Sequence, residues 1–214
     1  MRFKFKAGEK VRYTTESRTL IEMTLGGETV KQETTLAIDM TWEATQVDKD
    51  GRATVTSTLD RGRFSTDTAG GKMSYDTKEG KEPDDELFKL MVKPLRTLVG
   101  GQVTFEMTPR GLVEKVKPSE EVEKLYKGRN FMVVGIVQTL AAPPLVLPVE
   151  APRKSDSWTE KAGTATTPAT GPAALEVKYT YEGPVQRGGR QVEKISMKLV
   201  ASAEKPPQGT KVDL

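Results

Sequence analysis

Long runs of period-two alternation constrain this chain more than any other feature of its sequence. From Val11 onward the odd positions Tyr13, Ile21, Met23 and Leu25 are apolar, while Arg12, Glu16, Arg18 and Glu22 take the other face. Side chains of a strand alternate between faces and those of a helix repeat about every 3.6 residues, so the pattern fits an extended backbone buried on one side. Gly26-Gly27 then offers a turn, since glycine reaches positive φ without steric cost. The return run sets Leu36, Ile38, Met40, Trp42 and Ala44 against Asp39, Thr41 and Glu43. Asp48-Lys49-Asp50-Gly51 makes a second turn, after which Ala53, Val55, Ser57 and Leu59 continue the alternation. The expectation is a long antiparallel meander. The 26 threonines among 214 residues agree with it, because β-branched side chains suit a pleated, half-wetted surface. At the start of the chain Arg2, Lys4 and Lys6 alternate with Phe3 and Phe5, which reads as one solvated strand face.

The middle third changes period. Asp84 or Asp85 can cap a helix containing Leu87, Phe88, Leu90, Met91, Leu95, Leu98 and Val99 and closing at Gly100-Gly101, with Pro94 kinking or interrupting it. A hairpin follows, carrying Val103, Phe105 and Met107 and then Leu112, Val113 and Val116. Pro118-Ser119 opens a second helix through Val122, Leu125 and Tyr126 to Phe131, Val134, Val137 and Leu140, which Gly128 or Gly135 can break. The stretch Ala162 to Ala174 is rich in Gly, Thr, Pro and Ala and is read as a loop, in preference to a strand with an irregular turn. Leu175, Val177, Tyr179 and Tyr181 alternate again, Gly188-Gly189 turns, and Ile195, Met197 and Leu199 return. Lys211 to Leu214 looks like the first half of another strand, so the C-terminal strands are expected to be truncated here. The fold class expected is α+β, mostly β: a long, curled, half-barrel-like antiparallel sheet with two central helices packed on its concave face. It is read as a single domain over 1–214, with strands in 1–80, a hairpin and two helices in 84–142 and strands in 145–214.

Composition then removes functions. The chain has no cysteine and no histidine, which excludes disulfides, thiolate nucleophiles, Ser-His-Asp triads and imidazole metal sites, and no cofactor is expected. Thirty-three basic residues against 30 acidic ones leave a net charge of +3 with no concentrated basic stripe, so nucleic acid is not an expected partner. The longest apolar stretch, Phe131 to Val149, is cut by Gln138, Thr139 and prolines and cannot be one spanning helix. No GxSxG elbow, P-loop or dinucleotide fingerprint is present. Carboxylates are the acid-base groups that remain. Asp39, Glu43, Asp60, Asp67 and Asp76 fall on or near a polar sheet face and read as solvated charges, so no catalytic residue is assigned and the chain is expected not to be an enzyme.

What remains is apolar surface. A curled sheet with helices in its concavity can close on an ordinary core or leave a cavity for an apolar ligand. The residues that would line such a cavity are Ile21, Met23, Ile38, Met40, Trp42, Phe88, Met91, Phe131 and Met132, several of them pliable thioethers.

Several short motifs carry a resemblance. Phe3-Lys4-Phe5-Lys6-Ala7-Gly8-Glu9-Lys10, Asp39-Met40-Thr41-Trp42, the Asp50-Gly51 turn, Tyr75-Asp76-Thr77-Lys78, Leu145 to Val149, Ser155-Asp156-Ser157-Trp158 and Tyr179-Thr180-Tyr181-Glu182-Gly183 resemble a family of uncharacterised secreted proteins of planctomycete-type bacteria. In that family the Trp158 motif reads Gly-Asp-Ser-Trp, and Ser155 stands here in place of the glycine. The resemblance implies an exported location, with a signal peptide lying outside this sequence, and supplies no site residues. The architecture also looks like the half-barrel of bacterial lipoprotein carriers, an analogy of fold alone. Together these give the expectation of a non-enzymatic, exported binding or carrier protein for an apolar ligand such as a lipid or a lipoprotein acyl chain. The alternative is a structural or assembly module of the cell envelope that pairs with proteins through its strand edges.

Overall fold

The computed structural model describes residues 1–25, 28–68, 71–127, 131–141, 145–167 and 171–203. Where the sequence suggests one domain, the packing of Cα atoms groups the chain into two compact units, Arg2–Pro144 and Leu145–Leu214, the second with Met1.

The first unit is built on a six-stranded antiparallel sheet. β1 (Lys10–Leu25), β2 (Glu28–Val47) and β3 (Ala53–Thr68) are the predicted meander, and β4 (Gly71–Asp76), β5 (Gln102–Met107) and β6 (Val113–Pro118) complete it. The order is β1-β2-β3-β5-β6, with β4 also paired to β3, and the sheet does not close into a barrel. One edge of β3 is shared between two partners: Ala53 to Thr58 pair with β5, and Arg63 to Thr68 pair with β4. The Asp48 turn forms as expected. The Asp48 carboxylate accepts from the backbone N–H groups of Asp50 and Arg52, and Gly51 takes φ +80°. The Gly26-Gly27 turn lies outside the described residues, although β1 and β2 pair up to Leu25↔Glu28 beside it. Residues 1–6 form no regular strand, yet their alternation holds: Phe3 and Phe5 pack on the core, and Arg2, Lys4 and Lys6 are exposed.

One irregularity governs which side chains face where. Asp39 pairs with Arg61 and Met40 with Leu59, so Asp60 is an extra residue, a β-bulge. Before it the buried positions of β3 are odd (Ala53, Val55, Ser57 and Leu59); after it they are even (Gly62, Phe64 and Thr66). Arg61 and Arg63 are thereby turned to the outer face.

The helices cover the inner face. α1 (Glu86–Leu98) starts at Asp85, whose carboxylate accepts from the Phe88 N–H at 2.7 Å, and it buries Phe88, Val92, Leu95 and Leu98. It runs through Pro94 uninterrupted. The second predicted helix appears as two, α2 (Glu120–Lys127) and α3 (Phe131–Ala141), with Gly135 inside α3 and residues 128–130 outside the described set. Val122, Ile136, Val137 and Leu140 join the core from these helices. At its centre the Trp42 ring meets the edge of Phe105 at 5.5 Å and Tyr13 at 4.4 Å, while Phe64 lies 5.8 Å from Phe88. Burying each of these large side chains contributes about 1.5–3 kcal/mol. The Trp42 indole N–H is buried and unpaired, the one such side-chain nitrogen or oxygen found among the described residues.

The second unit is a three-stranded antiparallel sheet of β7 (Ser157–Thr167), β8 (Gly171–Arg187) and β9 (Arg190–Ala203). The loop expected over Ala162 to Ala174 is instead strand on both sides of residues 168–170, with Gly163↔Leu175 through Thr167↔Gly171 in register. Thr164, Thr166 and Thr167 supply β-branched residues there, and cross-strand pairing outweighs the local preference of glycine and proline for turns. Gly188 and Gly189, at φ +58° and +73°, make the β8–β9 turn. Trp158 stacks on Tyr179 at 5.4 Å and donates its indole N–H to the Val146 carbonyl at 2.7 Å. Ser155 adopts φ +76°, the left-handed region that glycine occupies freely. Residues 211–214 lie outside the described set.

Candidate functional site

Of the nine residues expected to line an apolar cavity, Ile38, Met40, Trp42 and Phe88 are buried in the core of the first unit, at 1–5% exposure. Met91 is half-buried against that core. The side chains of Ile21, Met23, Phe131 and Met132 lie outside the described residues. The concavity beside Trp42, walled by Phe5, Val11, Tyr13 and Val55, measures about 20 Å³, room for one water.

A far larger concavity lies on the outer, polar side of the same sheet. It is an open trough of about 1220 Å³ that crosses β1, β2, β3 and β4 and continues to Lys78 and Glu79 beyond β4. Its charged lining consists of Arg12, Arg61, Arg63 and Lys78 on one side of the balance and Glu16, Asp39, Asp60, Asp76 and Glu79 on the other.

At the middle of the trough four of these charges form a crossed square. Asp39 lies directly opposite Arg61 and Asp76 directly opposite Arg63 in the strand register. Each arginine nevertheless bonds to the diagonal acid. Arg63 Nη2 donates to Asp39 Oδ1 at 2.7 Å, and Arg61 Nε donates to both oxygens of Asp76 at 2.8 and 3.1 Å, reinforced by a close contact from its Nη2. Such forked guanidinium–carboxylate pairs fix both partners in orientation. Thr14 Oγ1 donates to the same Asp39 oxygen at 2.8 Å, and Thr41 Oγ1 donates to Asp60 Oδ2 at 2.6 Å.

The electrostatics follow from the pairing. The hydrogen bond from Arg61 holds the Asp76 carboxyl below the usual carboxylate range, against a desolvation effect that pushes it up, and the Lys78 N–H assists at 2.9 Å. Asp76 in turn raises the guanidinium of Arg61 above its ordinary value. A general acid needs the opposite environment, one that keeps its carboxyl protonated near neutral pH. Among the described residues no group of three or more acids is placed to hold a metal ion, and no helix is long and apolar enough to cross a membrane.

The sequence points to Asp39, Asp60 and Asp76 only as scattered solvated charges. The fold brings all three into one trough and ties each to a named partner, while Glu43 pairs with Lys10 at 3.2 Å away from it. The signal that could have found the site is the break in alternation at Asp60-Arg61-Gly62-Arg63, which re-phases β3 and puts two arginines on the acidic face.

Residues 50–128 match a family of unknown function (DUF6263). That segment runs from the Asp48 turn through α2 and supplies the β3 and β4 walls of the trough, including Arg61, Arg63 and Asp76. No curated protein and no solved structure matches the chain.

Proposed function

We propose that this chain is a non-catalytic binding protein that takes a polar ligand in the trough across β1 to β4. The observation that carries the reading is the crossed Asp39–Arg63 and Arg61–Asp76 square, which offers hydrogen-bonding groups already locked in orientation. Preorganised groups lose little entropy on binding, whereas loose surface lysines and glutamates would each have to be ordered. The same locking argues against acid-base turnover, because Asp76 is held ionised by its arginine. The acyl-chain expectation draws less support. Four of its nominated residues fill the core, and the space beside Trp42 holds no more than a water. The resemblance to secreted bacterial proteins gives the reading an exported setting.

A titration of the ¹⁵N-labelled protein tests it, with trehalose, benzoate, arginine amide and cis-parinaric acid as neutral, anionic, cationic and apolar probes. Polar binding predicts amide shifts clustered at Thr14, Asp39, Ser65 and Ser74 from at least one polar probe. Shifts from cis-parinaric acid alone, centred on α1 and α3, would overturn it in favour of an acyl carrier.

A further inference from the structure

Resting on that reading of the trough, we infer that its ligand is a neutral, polyhydroxylated chain: an uncharged oligosaccharide laid across the strands. Four observations lead there.

First, the charge of the lining is nearly cancelled, with four cations against five carboxylates, and two of those cations are already engaged by two of the acids. A polyanion or polycation needs a large excess of the opposite sign to steer and hold it, and a balance of one carboxylate is too small for either. Second, the apolar side chains of the lining are largely taken up by the core, with Ala37, Met40, Phe64 and Tyr75 2–5% exposed and Tyr13 half-buried against it, so the trough offers an acyl chain no continuous apolar wall. Third, the trough is a sheet face. At its centre the backbone pairs on both sides, β2 with β1 and β3, and β3 with β2 and β4. A peptide recognised through its main chain adds to a sheet edge. Ligand recognition on this face must come from side chains.

Fourth, those side chains match vicinal hydroxyls. A sugar hydroxyl both donates and accepts, and neighbouring hydroxyls present that pair repeatedly along a chain. Asp39 uses one oxygen for both Thr14 and Arg63, leaving its Oδ2 as an acceptor beside the remaining guanidinium N–H donors of Arg63. Asp60 likewise keeps Oδ1 beyond the bond from Thr41. Ser65 and Ser74, paired across β3 and β4, add two hydroxyls to the same floor. Donor and acceptor thus lie side by side and fixed, as a diol requires. At about 1220 Å³ the trough exceeds the roughly 300–1,000 Å³ of small-ligand pockets, which suits an oligomer over a single ring.

The test uses isothermal titration and ¹⁵N amide shifts with cellohexaose and with the tetramer of N-acetylglucosamine, and a heparin hexasaccharide as the charged control. Binding of a neutral oligosaccharide with shifts at Thr14, Asp39, Ser65 and Ser74 is the expected result. Arg63→Gln should weaken it about tenfold, the loss of roughly one hydrogen bond to a charged group. Ser65→Tyr, which fills the trough from the solvent side and leaves the core alone, should abolish it while the far-ultraviolet circular dichroism stays unchanged. If heparin or benzoate shifts the trough amides and neither neutral oligosaccharide does, the ligand class is wrong and the trough remains a polar binding site. If no probe shifts them, both readings fall. Oligosaccharide binding that survives Ser65→Tyr in a folded protein overturns the location.

Discussion

Gly62→Ala is the most direct probe of how the trough and the core share one strand. Gly62 lies in β3 just past the Asp60 bulge, with its missing side chain aimed at α1. A Cβ built there would sit 2.3 Å from Leu95 Cδ1, 2.5 Å from Cγ and 2.8 Å from Cδ2, all well inside van der Waals contact. Leu95 cannot swing into solvent, because it is fully buried on the same helix face as Phe88, Val92 and Leu98. Relief requires α1 to lift or β3 to shift. Overpacking of this kind costs about 1–3 kcal/mol, and the stiffer unfolded chain that alanine gives returns about 0.4–1 kcal/mol. The net expectation is a loss of about 1–2 kcal/mol, or roughly 2–8 °C in Tm. Urea unfolding followed by Trp42 fluorescence, in a Trp158→Phe background that leaves one indole, reads the first unit by itself. Leu95→Ala should cost about 2–5 kcal/mol alone and about 1–2 kcal/mol less in the Gly62→Ala background, since the colliding methyls are then gone. A Gly62→Ala protein as stable as its parent, or costs that simply add, would refute the close approach of helix and strand.

Two further outcomes follow from the geometry. Ser155→Gly should stabilise the second unit by about 0.5–1 kcal/mol, because a non-glycine residue at φ +76° bears a steric cost that glycine avoids; thermal unfolding followed by Trp158 fluorescence in a Trp42→Phe background measures it, and no gain would refute the strain. Asp76 has its carboxyl pKa lowered in the folded protein, so its pairing contributes stability above the unfolded value near pH 4 that is lost as pH falls through the folded value. Asp76→Asn should therefore cost about 1 kcal/mol at pH 7, after allowance for the partly exposed Arg61, and the gap should close as the pH drops below about 4. A gap in the urea midpoint that does not change with pH would remove the ion pair from the account.

Much of the fold can be read from the residues, because its signals are local. Alternation from Val11 to Leu59 sets the meander, Asp48 to Gly51 sets a turn, and Asp85 caps α1 as an acid three residues before Phe88 should. What could not be read is where non-local pairing overrides local preference. Ala162 to Ala174 has the composition of a loop and becomes strand through its partner across β7 and β8. Pro94 has no N–H to give its helix, yet α1 continues through it, held by Leu95 and Leu98 in the core beyond the proline. Ser155 is a different case: the glycine expected from the resembling motif marks a left-handed turn, and only the backbone shows that the serine here keeps that conformation.

The candidate site was hidden for a related reason. Apolar residues on the inner face, such as Ile38, Met40 and Trp42, are what any sealed core requires, so their number carries no information about a cavity. A polar face, conversely, reads as wetted surface unless its curvature and strand register are known. Both depend here on Asp60. Without the bulge, with Asp60 taking an ordinary place in the ladder, the odd positions of β3 would stay inward past Leu59, Arg61 and Arg63 would point at α1, and Phe64 would face water. With it the arginines meet Asp39 and Asp76 on the outer face, and Gly62 opens the inner face to Leu95. A bulge also increases the local twist of its strand. The bulge at this one acid therefore both interrupts the sequence pattern and keeps the arginines in the trough, so the point at which alternation fails on β3 is the point at which the outer face stops being plain surface.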